Sequence, residues 1–248
     1  MKKVLVIGGT GKMGQATAKF LKQDFEVFIS GRDAEKTRFV AKSLGIQPFD
    51  PTSNSFSGFD FIFVSVPIPA AKKAISSILP LLSENQLLVD LSSVKFNIPL
   101  SKAKCSVLLV HQMFGPDEAV QGQNMILIPL KGENWKYLAD YFSSRGVNVV
   151  FSTVEQHNRM VAYTQALTHF ISLSLPVPQG TKEFSTPNFR RLLENKGRIE
   201  NEKEMIAYIL TENPESLKAI DEFISSCRRI RALVKDKNTK ALSSKDVC

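Results

Sequence analysis

The sequence predicts an α/β protein in two parts: a doubly wound, mostly parallel sheet formed by residues 1–152, then an all-α domain over residues 153–248. Three observations predict it. Aliphatic runs in the first part lack apolar/polar alternation, as strands buried on both faces do. Helical patterns are interposed between those runs. After Phe151 the strand-like runs stop, and the pattern to about Leu233 is helical, with breaks at Pro176–Gly180 and near Pro214.

Taken in order, Val4-Leu5-Val6-Ile7 is the first buried strand. It runs into Gly8-Gly9-Thr10-Gly11-Lys12-Met13-Gly14, and Ala16, Ala18, Phe20 and Leu21 then mark a helix. Strand, glycine turn and helix form the context in which G-x-G-x-x-G signals a dinucleotide, and with it a Rossmann-type domain. Gly9 permits the tight turn, Gly11 lets a pyrophosphate approach the backbone, and Gly14 lets helix pack on strand. Thr10, Lys12 and Met13 complete a loop that would hold phosphates at the helix N-terminus.

The second strand, Glu26–Ser30, ends in Ser30-Gly31-Arg32-Asp33. An NAD site usually carries an acidic residue there for the ribose 2′-hydroxyl. Ser30 or Gly31 followed by Arg32 suits a 2′-phosphate better, so NADP is the preferred cofactor. NAD stays compatible if Arg32 instead stacks on adenine or caps the next helix.

A helix near Ala34–Leu44 follows, then a strand at Phe59–Val66 leading into Pro67 and a helix at Ala70–Leu82. Further strands are expected at Gln86–Leu91, Ser106–Val110, Met125–Pro129 and Gly146–Phe151. Ligands bind outside the carboxyl ends of such strands. Ser65, Val66 and Pro67, Ser92 and Ser93, and His111 should therefore line one crevice. A histidine there has a pKa suited to proton transfer. Ser92 and Ser93, near Lys95, serve equally well as a helix cap or turn.

The second domain opens on Val154–Leu175, which has no charged residue after Arg159. On an ideal helix Met160, Tyr163, Leu167, Phe170 and Ile171 form an apolar face, with Asn158, Gln165, His169 and Ser172 on a polar stripe. Such a helix should be buried, and its polar stripe must find partners. His157 and His169 are about 18 Å apart along the axis and cannot share one metal or one spot. Of the two, His169, in line with Gln165, is the better site candidate. Arg191 and Arg198 share a helix face, and Arg198 could reach a carboxylate bidentately.

Composition is that of a soluble globular protein, 43% hydrophobic and 23% charged. The formal net charge of +8 favours anionic partners. The basic residues form no stripe interleaved with aromatics, so nucleic acid is not expected. Three widely spaced cysteines give neither a disulfide framework nor a zinc pattern. With no signal peptide or membrane span expected, a cytoplasmic location follows.

Asp90-Leu-Ser-Ser93-Val-Lys95, His111-Gln-Met-Phe-Gly115-Pro116, Glu155-Gln-His157, Gln165-Ala-Leu-Thr-His169-Phe170 and Phe189-Arg190 with Gly197-Arg198 resemble the prephenate/arogenate dehydrogenases of tyrosine biosynthesis. The resemblance runs in consistent order from the glycine loop to about residue 225. It implies oxidative decarboxylation of prephenate or arogenate with hydride transfer to NADP or NAD, and a homodimer formed through the helical domain. His111 would take the ring-hydroxyl proton, and Ser93 would orient that histidine or the substrate. Arg198 would bind a substrate carboxylate, with His157, His169 and Gln165 as further substrate contacts. Gln112 departs from the proline common in the family. Two other readings stay open: a non-catalytic NADP sensor, and another β-hydroxyacid-type dehydrogenase. A short-chain reductase is disfavoured, because no tyrosine is followed by lysine four residues on.

Overall fold

The computed structural model describes residues 1–50, 55–200 and 202–244, apart from the side chain of Glu200. The chain forms two compact units, Met1–His157 and Asn158–Cys248, the division falling inside a helix.

The first unit is built on an eight-stranded sheet. Its strands are β1 (Lys3–Ile7), β2 (Glu26–Ser30), β3 (Gln47–Pro48), β4 (Phe61–Val64), β5 (Leu87–Asp90), β6 (Ser106–Gln112), β7 (Asn124–Lys131) and β8 (Asn148–Phe151). Their order is β3-β2-β1-β4-β5-β6-β7-β8. All neighbours pair in parallel except β6 and β7. The chain reverses direction of travel across the sheet at β1/β4, the switch point where a doubly wound sheet opens a ligand crevice.

Helices α1 (Lys12–Leu21), α2 (Ala34–Leu44), α3 (Ile68–Ile78) and α4 (Trp135–Ser144) pack on this sheet. Helix α2 has the expected bounds because both ends carry signals. Asp33 accepts from the Lys36 amide at its start, a cap of about 1 kcal/mol, and Gly45 closes it in the left-handed region at φ 65°. Helix α3 differs from expectation: it starts at Ile68, after Pro67, and tightens into a 3₁₀ turn at Leu79–Leu81, where Pro80 withholds an amide hydrogen.

Two departures concern the sheet. Helices do not alternate with strands throughout, since only a 3₁₀ turn at Leu100–Lys102 lies between β5 and β6, and β6 passes to β7 without one. Strand β6 also continues through His111 to Gln112 instead of ending at Val110. Proline is accommodated inside β7 because Pro129 sits at a register shift opposite Val107/Leu108.

The sheet separates two apolar clusters, with Leu108 and Val110 of β6 in one and Val107 and Leu109 in the other. Side chains alternate along a strand. His111 therefore shares the face of Val107 and Leu109, and Gln112 the opposite one. Each fully buried aliphatic side chain is worth about 1.5–3 kcal/mol.

Helix α5 (Val154–Val161) crosses the division between the units. The second unit continues as a π-helical turn (Ala162–Ala166), α6 (Leu167–Ser174), α7 (Pro187–Glu200), α8 (Lys203–Glu212), α9 (Ser216–Lys235) and α10 (Thr239–Leu242). Residues 245–248, Cys248 among them, lie outside the described residues.

The uncharged helix is buried less than expected on its apolar face, where Leu167, Phe170 and Ile171 are half-buried. Met160 and Tyr163, from the apolar face, are 44% and 38% exposed. The buried side is small or polar: Asn158, Val161, Ala162, Ala166 and Ser172. Small side chains let neighbouring helices approach, and the π turn packs against α8 and α9. Two hydrogen bonds serve this side: Asn213 donates to the Asn158 backbone carbonyl, and the Ser172 hydroxyl to the Thr168 carbonyl. Lys196 of α7 donates to the carbonyls of Ser172, Leu173 and Leu175, closing the C-terminal end of α6 with a cation.

Candidate active site

The glycine loop lies between the carboxyl end of β1 and α1. The amides of Gly8 and Gly9 both donate to the Ser30 carbonyl, and that of Gly11 to the Gly8 carbonyl. These bonds draw the loop over the end of β2. Three glycines are required by the protein itself. A Cβ on Gly8 would lie 2.2 Å from the Ser65 carbonyl oxygen, one on Gly9 would lie 2.5 Å from Ile29, and one on Gly14 would lie 2.4 Å from the Gly8 carbonyl oxygen.

Gly11 is different. A Cβ there would meet only the Gly8 carbonyl oxygen, at 3.4 Å. Gly11 is exposed and precedes a helix with no acidic residue in its first turn and no side-chain cap. The first-turn amides of such a helix point outward with no partner inside it. Backbone approach at Gly11 and these amides fit a pyrophosphate. Ser65 and Val66, half-buried, face the same loop through the contacts of Gly8, and exposed Pro67 follows them as the N-cap of α3.

At the end of β2, the Ser30 hydroxyl is buried and has no hydrogen-bond partner among the described residues. Gly31 is held close by Thr10 and Thr37, whose side chains a Cβ would meet at 2.9 and 3.0 Å. Asp33 is engaged as the α2 cap, and Arg32 is exposed. The residues present fit a nicotinamide dinucleotide.

Strands β1, β4, β5 and β6 run in parallel, so their carboxyl ends share one edge. At the end of β5 the Asp90 carboxylate pairs with Lys95 at 3.0 Å, the two side chains 1% and 0% exposed. Lys95 Nζ also donates to the carbonyls of Ser92 at 2.6 Å and Val110 at 2.9 Å. Burial pushes the Lys95 ammonium down, partly offset by Asp90. Ser92, expected at the crevice and assigned there to the cofactor, is engaged in the turn: its hydroxyl donates to Asp90 Oδ2 and to the Val94 carbonyl, and its amide to Asp90 Oδ1. Ser93 is half-buried and makes no side-chain hydrogen bond among the described residues.

His111 is 2% exposed and sits one residue before the end of β6. Its Nδ1 lies 2.9 Å from Nε2 of His157 on α5, itself 3% exposed. The rings are tilted by 56° with centroids 5.1 Å apart. Burial first, then the Lys95 charge and then His157, hold His111 well below the usual imidazole range. The ring is thus neutral near physiological pH, the form that accepts a proton. Gln112 points away from this pair. It accepts from Thr17 of α1 and lines a separate cavity of about 770 Å³ with Phe114, Lys19 and Arg145.

The structure thus brings His157 to His111, 46 residues apart, although the sequence favours His169 as the site histidine of the helix. No periodicity links those positions. Lys95 is equally invisible in the sequence as an anchor, because its reach to Val110 depends on β5 and β6 being neighbours. In the second unit, His169 is half-buried, and burial lowers its pKa against the opposing pull of Glu202. Gln165 is half-buried on the π turn, while Arg198 near the end of α7 is exposed. Arg191 donates to Asn188. Among the described residues no cluster of metal-ligating side chains occurs, and no helix is long and apolar enough to cross a membrane.

A family model described as "NADP oxidoreductase coenzyme F420-dependent" matches residues 3–93, and one described as "Prephenate dehydrogenase, dimerization domain" matches residues 153–245. The chain is 29% identical to a probable arogenate/prephenate dehydrogenase of Methanocaldococcus jannaschii, over 95% of this chain and 57% of that protein. It is 28% identical to the T-protein of Haemophilus influenzae, over 88% of this chain and 58% of that one. The chain therefore spans somewhat over half the length of these relatives. In fold it is similar to prephenate dehydrogenase from A. aeolicus, solved with hydroxyphenyl propionate and NAD⁺, at a TM-score of 0.81, 19% identity and coverage of 98% and 93% of the two chains. Synechocystis arogenate dehydrogenase gives a TM-score of 0.75 at 17% identity, over 97% and 94%.

Proposed function

We propose that this chain, which belongs to the prephenate/arogenate dehydrogenase family, catalyses oxidative decarboxylation of prephenate or arogenate with a nicotinamide dinucleotide. One observation carries the reading: a buried imidazole, kept neutral, at the sheet edge that also bears the glycine loop. When bound, the dinucleotide supplies the hydride acceptor. His111 accepts the ring-hydroxyl proton as the carbon bearing it is oxidised, a step that needs a base with its lone pair available near neutral pH. Carbon dioxide loss follows from aromatisation of the ring and asks little of the protein.

Arg198 is assigned to a substrate carboxylate, His169 and Gln165 to substrate contacts, and Ser93 to orienting His111 or the substrate. A guanidinium suits an anionic substrate through paired hydrogen bonds. NADP is the proposed preference. It is supported by exposed Arg32, by an Asp33 carboxylate already engaged as a helix cap, and by the unpartnered Ser30 hydroxyl. A homodimer through the helical unit is supported by its exposed Met160, Tyr163, Leu173, Leu192 and Leu217. Free Cys105 and Cys227 suit a reducing compartment, the cytoplasm.

The test supplies prephenate and arogenate, each with NADP and with NAD, to the purified chain. The expected result is reduced cofactor with stoichiometric carbon dioxide, fastest with NADP. Arg32→Ala should weaken NADP roughly tenfold or more and leave NAD unchanged, the scale of one charge-assisted contact. No turnover in any of the four combinations overturns the assignment.

A further inference from the structure

We propose that His157 is the positioning residue of the base: it accepts the Nδ1 hydrogen of His111 and so keeps His111 Nε2 as the proton-accepting nitrogen. The proposal rests on the reading of His111 as the base. Its observation is the 2.9 Å approach of His111 Nδ1 to His157 Nε2 between two buried rings.

Two neutral imidazoles at that distance share one hydrogen, so two arrangements exist. If His157 donates, His111 carries its own hydrogen on Nε2 and offers no lone pair there. If His111 donates, its Nε2 can take a proton. Protonation decides between them. A His111 that has accepted a proton bears hydrogen on both nitrogens, and its buried Nδ1–H then requires an acceptor. A hydrogen on His157 Nε2 would place two hydrogens in one 2.9 Å gap. Base chemistry at His111 is therefore compatible only with a lone pair on His157 Nε2.

The charged and titratable surroundings sharpen the need. From the segment after β5, Lys95 opposes a positive charge on His111. Asp90 of β5 is already engaged by Lys95 and Ser92. From α5 comes His157 itself. The role a carboxylate often takes beside a catalytic histidine falls here to the His157 imidazole. Helix α5 is well placed to hold it, because the His157 amide donates to the Thr153 carbonyl and Val154 packs on the cluster beneath His111.

Two measurements on the full chain test this. The first is ¹⁵N NMR of histidine-labelled protein with cofactor bound, near pH 8. The chain has three histidines, and His157→Gln and His169→Gln variants assign the signals. The expected result is a protonated-type Nδ1 and a lone-pair-type Nε2 on His111, with a lone-pair-type Nε2 on His157. The reverse pattern overturns the proposal. The second is kinetic. His157→Leu should lower kcat by about 100-fold or more with KM within about threefold and cofactor affinity unchanged. His157→Gln, whose amide oxygen can accept from Nδ1, should regain at least about tenfold of that loss. A rise in KM with kcat retained would make His157 a substrate contact and overturn the proposal. If His157→Leu does not fold, the NMR pattern and the glutamine variant decide. If the wild-type chain turns over neither substrate, the reading of His111 fails, while the NMR pattern still reports the pairing.

Discussion

Replacing Lys95 by methionine removes the clamp between β5 and β6 while nearly preserving side-chain volume. The lost ammonium donates to Asp90 Oδ2 at 3.0 Å and to the carbonyls of Ser92 and Val110 at 2.6 and 2.9 Å. Asp90 keeps two donors, the Ser92 hydroxyl at 2.7 Å and amide at 3.0 Å, so its carboxylate is weakened rather than stripped. The carbonyls of Ser92 and Val110 lose a donor, as does that of Asp90, bonded more weakly at 3.4 Å. A buried group left without a partner costs about 1–3 kcal/mol. Removing one member of a buried ion pair costs about 3–5 kcal/mol, a figure that already contains part of the first. The expected loss is therefore about 4 kcal/mol. For a unit of this size each kcal/mol moves Tm by about 2–4 °C, which gives a fall of about 8–16 °C by scanning calorimetry. Adding Asp90→Asn should restore at least half of the loss, because the stranded charge goes with it. A fall of less than about 3 °C for the single variant would refute this account of the clamp.

The depressed His111 pKa makes stability pH-dependent. Below the ordinary value of 6.5 the unfolded chain binds a proton that the folded chain does not. Stability is then complete above that value and is lost as pH falls toward the folded pKa, by at most about 1.4 kcal/mol per pH unit for one proton. Urea melts between about pH 7.5 and 5.5 should show a shallower slope in His111→Asn, and an undiminished slope would remove His111 from this role. Gly11→Ala should fold with Tm nearly unchanged yet bind cofactor at least about tenfold more weakly, since its Cβ meets only one atom of the protein. Gly9→Ala should instead lose about 1–3 kcal/mol of stability by overpacking on Ile29; equal effects from the two in melts and cofactor titrations would contradict the phosphate reading. Arg198→Ala should raise KM for the anionic substrate about 10-fold or more with a smaller change in kcat, and unchanged steady-state kinetics would release Arg198 from the carboxylate.

Local chemistry makes much of the first unit legible. The run from Val4 to Gly14 encodes strand, turn and helix through buried aliphatics and glycines that the backbone cannot do without, and α2 is bracketed by Asp33 and Gly45. Strand direction is less visible. Nothing in residues 124–131 distinguishes an antiparallel partner of β6 from another parallel strand, since both are apolar runs. Strand β3 is two residues long and carries no pattern at all. At the site, His111 can be found from its strand-end position. Its partner cannot, because the pairing of His111 with His157 is a tertiary contact. The uncharged helix misleads through its period. An amphipathic wheel presumes that the apolar face turns inward, whereas here alanines face the other helices and Met160 faces outward. The π turn at Ala162–Ala166 also shifts every later residue from its ideal angle.

The alternation along β6 has a further consequence for how the chain tolerates insertions and deletions. Val107, Leu109 and His111 occupy one parity of the strand, and Leu108, Val110 and Gln112 the other. A slip by one residue exchanges valine for leucine in both apolar clusters and leaves their volume almost unchanged. It would also trade the imidazole for an amide and send His111 toward Thr17. The oily residues are therefore nearly blind to the two threadings, and parity is guarded by polar and geometric pins: the Lys95 bond to Val110 and the offset opposite Pro129. A length change within this strand would leave a chain that still collapses and still buries its core, with His111 on the wrong side of the sheet.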